Sequence, residues 1–267
     1  AGLCSSPGDD GDGDSGSPFY VNRRPSFTVY ADDSPVNPAA TVTWTTTASD
    51  ADSDNVTLYV CKADDFTGTA CGGGGTWCSS TPAASNPTCN TAAPRPDGNY
   101  NAYGYVIDEH SFAASGGSQG TDSTLAVNNV SPSITNTTIQ LLDTDESGNL
   151  ALTTIGGETT DFLVKFVVTD NNSCVNISSG DEIASAIIHV RMSELAQSAC
   201  DDNGERNNNN CYANAHTLTG GQCVQDVTVN ACSGATDTDV GWRCEFPLQY
   251  HADPTTGTPT PTKDAYT

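Results

Sequence analysis

The sequence predicts an all-β, disulfide-rich chain with long irregular loops, and three observations carry that expectation. Val42, Trp44, Thr46 and Ala48 alternate with Thr41, Thr43, Thr45 and Thr47, which is the two-residue period of a strand with one apolar face. Of the 33 acidic residues 26 are Asp and only seven are Glu. A helical surface of that charge would draw on Glu, Lys, Ala and Leu, whereas Asp, Asn, Ser, Thr and Gly favour turns and strands. Eleven cysteines in 267 residues point to bridges that supplement a thin core in an oxidising compartment.

Taken in order, residues 1–17 are too rich in Gly, Ser and Asp to bury a core. Residues 19–21 read as a short strand, 23–25 as a linker and 27–30 as the next strand. The stretch 40–61 organises the chain. It reads as a hairpin of strand, acidic turn and strand, with Val56, Leu58 and Val60 continuing the alternation beyond the turn. Residues 61–98 read as a long loop held by cysteines, and 99–107 as a strand in which Tyr103, Tyr105 and Ile107 oppose Ala102, Gly104 and Val106. Further strands fall at 125–127, 139–142 and 162–169, the last with Phe162, Val164, Phe166 and Val168 on one face.

An internal repeat sets the domain organisation. Ser17-Pro-Phe-Tyr-Val-Asn22 recurs as Ser123-Thr-Leu-Ala-Val-Asn128, each copy followed by a proline, Pro25 or Pro132. Asp170 then ends its strand as Asp50 ends the earlier one. The spacing of about 106 residues suits an immunoglobulin-like sandwich, so the expected architecture is tandem immunoglobulin-like β-sandwiches. Residues 1–22 would be the closing strand of a preceding or neighbouring sandwich, 23–130 a first domain, and 131–267 a second domain incomplete at its C-terminal end. Two arrangements account for such ends. The chain continues covalently, or Phe19, Tyr20 and Val21 of one copy complete the second sandwich of the next by strand donation.

A net charge of −24 repels nucleic acid and anionic lipid and attracts cations, so no nucleic-acid partner is expected. No apolar run approaches the roughly 20 residues of a membrane-spanning helix, and no membrane insertion is expected. There is no Cys-x-x-Cys pair, the commonest half of a structural zinc site. Sequons at Asn55, Asn129, Asn136, Asn171 and Asn176 are candidate glycosylation sites.

Three acidic runs offer alternating oxygen ligands for calcium. Asp143, Asp145 and Ser147 precede a Gly turn, without the Glu at position twelve that an EF-hand needs. Asp50, Asp52 and Asp54 fill the turn after the central strand. Asp10, Asp12 and Asp14, preceded by Asp9, lie in the Gly-rich start. Each run is also what a solvated turn looks like. Gly116-Gly-Ser118-Gln-Gly120 fits Gly-x-Ser-x-Gly with His110 and Asp108 close by, but that motif needs a strand before it and a helix after it. Here a strand follows, and no catalytic residues are assigned. His110, His189, His216 and His251 share no ligand spacing. Trp44, Trp77 and Trp242 read as core residues rather than as a sugar platform.

The segments Asp14-Ser-Gly-Ser-Pro-Phe-Tyr-Val-Asn-Arg-Arg-Pro-Ser-Phe27, Leu58-Tyr-Val-Cys-Lys-Ala-Asp-Asp-Phe-Thr67, Gly74-Gly-Thr-Trp-Cys-Ser79 and Cys244-Glu-Phe-Pro-Leu-Gln-Tyr-His-Ala-Asp-Pro-Thr255 resemble tandem, cysteine-rich surface proteins of candidate-phyla, ultra-small episymbiotic bacteria. The similarity spans nearly the whole chain. It implies immunoglobulin-like or cadherin-like repeats at an extracellular location, and no catalytic residues. In that pattern cysteines stand where this chain has Ile107 and Ala114. Cys4 would then pair with sequence upstream or with a neighbouring subunit. The other ten divide as Cys61, Cys71, Cys78 and Cys89, with 3 pairings open, and Cys174, Cys200, Cys211, Cys223, Cys232 and Cys244, with 15. The expected bridges are Cys61–Cys71, Cys78–Cys89, Cys200–Cys211, Cys223–Cys232 and Cys174–Cys244.

These readings converge on a non-catalytic structural subunit of an extracellular filament or cell-surface stalk. Its partner would be another copy of itself, or a host surface or glycan, and calcium would stiffen its turns. The alternatives are a monomeric adhesin or glycan-binding module of a secreted protein, and an accessory region of a secreted enzyme.

Overall fold

The computed structural model describes residues 22–143, 146, 159–175, 183, 186, 188, 190–191, 211–213 and 223–249. Among them the fold is all-β and disulfide-rich. The strands are β1 (Ser26–Asp32), β2 (Thr41–Ser49), β3 (Val56–Cys61), β4 (Thr76–Ser79), β5 (Cys89–Ala92), β6 (Gly98–Tyr100), β7 (Tyr103–Asp108), β8 (Thr121–Asp122), β9 (Leu125–Val127), β10 (Ser133–Ile134), β11 (Gln140–Asp143), β12 (Thr159–Thr169), β13 (Val190–Arg191), β14 (Cys211–Ala213), β15 (Cys223–Gln225) and β16 (Asp239–Gln249), with one 3-10 turn at Asn136–Thr138. The chain groups into two units. One holds Ala1–Asp33, Val42–Thr91 and Tyr100–Leu125, the other Ser34–Thr41, Ala92–Asn99 and Ala126–Thr267.

The first unit is built on two sheets, β1-β2-β5 and β4-β3-β7-β8. The alternation in β2 holds, since Val42 and Trp44 are fully buried and Ala48 and Thr46 nearly so. Val56, Leu58 and Val60 of β3 are equally buried, each contributing roughly 1.5–3 kcal/mol. The hairpin expected over 40–61 is not formed. β2 pairs with β1 and β5, β3 pairs with β4 and β7, and the acidic turn carries the chain from one sheet to the other. Alternation specifies which face is buried and leaves the neighbouring strand open. The stretch 61–98, expected as loop, contributes β4 and β5 as well as the Cys61–Cys71 and Cys78–Cys89 bridges.

Two departures from simple alternation close the first unit. A bulge between Phe27 and Val29 shifts the β1 register. Phe27 therefore points into the core, Val29 is 50% exposed, and the Tyr30 hydroxyl donates to the Ala102 carbonyl at 2.9 Å. The Tyr30 ring lies over Gly104, where an added Cβ would stand 2.7 Å from it. Burial holds the Tyr30 hydroxyl well above the usual phenol range. β7 is buried on both faces instead of alternating, because Phe66 stacks on Tyr105 at 4.6 Å.

In the second unit β10 and β11 lie along β12, which pairs over its whole length with β16, and β15 adds beyond β16. Phe162, Val164, Phe166 and Val168 face the core with Val240, Trp242, Cys244 and Phe246. The bridges here are Cys174–Cys232 and Cys223–Cys244, which corrects the expected Cys174–Cys244 and Cys223–Cys232. Cys223 stands opposite Cys244 in the β15–β16 ladder. The Cys174 N–H donates to the Asp237 carbonyl at 2.8 Å, which brings Cys174 to the turn that carries Cys232. The expected Cys200–Cys211 bridge, Cys4 and the strand at 19–21 fall outside the described residues.

Loop length ranks the bridges. Cys61–Cys71 spans 10 residues and Cys174–Cys232 spans 58, so loop-closure entropy assigns them about 3 and about 4 kcal/mol. Replacing both cysteines of the longer bridge by serine is expected to lower the denaturation midpoint more than the same change in the shorter one, as read by urea unfolding.

Candidate functional site

The turn after β2 is set by one carboxylate. Asp50 Oδ1 accepts the Asp52 N–H at 2.6 Å and the Asp50 carbonyl accepts the Ser53 N–H at 3.4 Å, an Asx-type turn. Ser53 takes a φ of 69°, and the chain swings round to start β3. Val56 pairs with Asp108 at the end of β7, so the ends of β2 and β7 and the start of β3 meet. Asp108 is 2% exposed. Its Oδ1 accepts the N–H groups of His110 and Phe112 at 2.9 and 2.8 Å, and its Oδ2 accepts Asn22 Nδ2 at 2.9 Å.

One carboxylate oxygen each from Asp50, Asp54 and Asp108 lie within 4.8 Å of one another, and Asp54, Glu109 and His110 form a second, more exposed triad. Burial pushes the Asp54 carboxyl above its ordinary range. The negative charges of Asp50, Glu109 and Asp108 add to that, and His110, 3.7 Å away, opposes it. Two oxygens shut off from solvent find no hydrogen bond, Asp50 Oδ2 and Asn22 Oδ1. Asp52, expected to complete the set, is turned away: its Oδ2 accepts the Arg23 N–H at 2.6 Å and its Oδ1 lies 3.5 Å from Arg23 Nε. Asp108 takes its place, and Asn22 joins it through the hydrogen bond that its Nδ2 donates. Asp108 carries the same signal as Asp50, an Asp closing an apolar strand, but it lies far from the acidic turn in sequence.

The second unit repeats the turn with different chemistry. Asp170 is 2% exposed, its Oδ1 accepts the Asn172 N–H at 2.8 Å and its carbonyl accepts the Ser173 N–H at 3.1 Å. Burial raises its carboxyl above the usual range, opposed by the Asn172 N–H and reinforced by Asp97. Asn172 occupies the place of Asp52. Its Oδ1 accepts the Val130 N–H at 2.5 Å, and its Nδ2 donates to the carbonyls of Asn128 at 2.8 Å and Arg95 at 3.1 Å.

Of the other expected ligands, Asp143 lies buried at the end of β11, whereas Asp145, Ser147, Asp10, Asp12 and Asp14 fall outside the described residues. Glu146 of that loop reaches Lys165 Nζ at 2.8 Å. Lys165 is 7% exposed on the β12 face opposite the core and lies 3.8 Å from Asp226, a buried cation that alternation alone would have placed in solvent. Among the sequons Asn55, Asn129, Asn136 and Asn171 are exposed, and Asn176 is outside the described residues. Ser118 is buried and its loop leads into β8, so the strand–turn–helix setting of a nucleophile elbow is not formed. Trp44 is core, Trp77 stacks on it at 6.5 Å under Lys62, and Trp242 is 3% exposed. His189, His216 and His251 are outside the described residues.

No protein-family model matches the chain, and no curated protein matches it.

Two outcomes follow from these contacts. Asn172→Ala leaves a part-buried N–H and two carbonyls without this partner, and a loss of about 1–3 kcal/mol is expected from chemical denaturation. The Asp226 carboxyl lies below its usual range because the Thr228 hydroxyl and N–H donate to it, with Lys165 and Arg243 adding to the effect. Asp237 is lowered by the Ser233 N–H and hydroxyl and the Asp239 N–H. A depressed folded-state value gives stability that is present above the unfolded value of about 3.9 and is lost as pH falls through the folded one. The acid limb of a melting-temperature profile is therefore expected to be shallower in Asp226→Asn than in the parent chain.

Proposed function

We propose that the chain is a non-catalytic structural subunit of an extracellular filament or cell-surface stalk, made of tandem immunoglobulin-like sandwiches joined head to tail. The carrying observation is the repeated head geometry. Asp50 with Asp52, and Asp170 with Asn172, form the same turn, and in each the residue two places on takes the N–H of the incoming chain, Arg23 or Val130. Two copies that receive the chain alike suit an array extended by repetition. The sheet orders β1-β2-β5 and β4-β3-β7-β8 support the immunoglobulin-like reading, since an A-B-E sheet facing a C′-C-F-G sheet has that order. The four bridges among the described residues require an oxidising setting, which supports an extracellular place. The resemblance to surface proteins of episymbiotic bacteria agrees with it.

A glycan-binding role has weaker support, because the best aromatic candidate, Trp77, is already in contact with Trp44, Tyr100 and Lys62. Electron microscopy of the purified full chain tests the proposal. Filaments with an axial repeat of one chain are expected, and loss of the filaments on deleting residues 17–22 would assign the joint to strand donation. Discrete monodisperse particles from the intact chain would overturn the assembly reading.

A further inference from the structure

We infer that Asp50, Asp54 and Asp108, together with the side-chain oxygen of Asn22, form a calcium site at the head of the first unit. One oxygen from each of three carboxylates converges within 4.8 Å, and the basic group nearest Asp54, His110, lies 3.7 Å from it with its side chain 56% exposed. The independent mark is a pair of unfilled acceptors. Asp50 is 9% exposed and its Oδ2 has no hydrogen bond, and Asn22 Oδ1 is likewise shut off and unpaired. A buried acceptor left open loses its water without a replacement partner. A cation in contact with both supplies that partner and neutralises the carboxylates.

The donor chemistry selects the ion. Three carboxylates and an amide carbonyl are hard oxygen ligands, with no thiolate among them. They come from a linker, a turn and a strand end, an irregular arrangement that suits the variable six- to eight-oxygen shell of Ca²⁺ better than the octahedron of Mg²⁺, with water filling the remaining positions. Asp52 is not a ligand, because Arg23 holds it. Asn22 lies on the chain entering the unit, so the ion ties that entry to the ends of β2 and β7. The inference rests on the extracellular reading only for the calcium level the site meets, for which a dissociation constant of about 10⁻⁴–10⁻³ M is expected.

The test is calcium binding to the full chain after chelator treatment, by equilibrium dialysis and by calcium-dependent melting temperature, with magnesium in parallel. Asp50→Asn and Asp108→Asn are each expected to lose one equivalent of bound calcium or to weaken it about 10-fold or more, and Asn22→Ala to weaken it with the fold intact by circular dichroism. Asp52→Asn is expected to leave the stoichiometry unchanged. Unchanged calcium binding in folded Asp50→Asn and Asn22→Ala chains, or magnesium binding at the same strength, would overturn the site. Calcium bound with the expected variant pattern in a chain that forms only discrete particles would uphold the site and strike the assembly reading alone.

Discussion

At the head of each unit a buried aspartate ends a long strand and fixes what comes next. Asp50 and Asp170 each bind the N–H two residues on, and each carbonyl binds the N–H three residues on. That one turn directs the chain out of its sheet and leaves the residue at its apex free to hold the incoming linker. A carboxylate suits the position because it accepts without needing to donate, and its charge is tolerable only where several donors or a cation surround it. The two units resolve the charge differently. In the second, neutral Asn172 sits at the apex and both of its polar ends are used. In the first the apex is Asp52, Asp54 and Asp108 stand nearby, and negative charge accumulates with acceptors left over.

The rest of the fold reflects a shortage of apolar material. Only 36% of the chain is hydrophobic, so side chains outside the two main apolar faces are recruited to cover strands. Phe66 lies on Tyr105, whose hydroxyl donates to Asp64, and this covers the outer face of β7. On the outer face of β12, Lys165 is enclosed by Glu146 and Asp226. The Lys165 ammonium and the Tyr105 hydroxyl each have a partner, the condition on which polar groups can replace hydrocarbon without large loss. Bridges at Cys61–Cys71, Cys78–Cys89, Cys174–Cys232 and Cys223–Cys244 supplement this cover by restricting the unfolded chain.

The acidic site was partly legible. Asp50 and Asp54 announce themselves by spacing within one turn. Asp108 and Asn22 do not, because they reach the site through the β3–β7 ladder and through an Asn–Asp hydrogen bond across 86 residues of sequence. Asp52 fits the spacing as well as its neighbours, and what removes it is Arg23, whose proximity no local pattern encodes.

The sequence by itself determined the strands and their buried faces: Val42, Trp44 and Ala48 in β2, Val56, Leu58 and Val60 in β3, and Phe162 through Val168 in β12. These follow from a period of two and β-branched composition, which are local. Cys61–Cys71 and Cys78–Cys89 match two of the expected bridges, although the sequence left three pairings of those four cysteines open. Only the tertiary structure decided that β2 and β3 belong to different sheets, that Tyr30 rather than Val29 joins Phe27 inside, and that Cys174 meets Cys232. Each depends on a long-range fact: which strand lies alongside, where a bulge shifts the ladder, or which turn a backbone hydrogen bond brings near. Alternation states which way a side chain faces, and only packing states what it meets there.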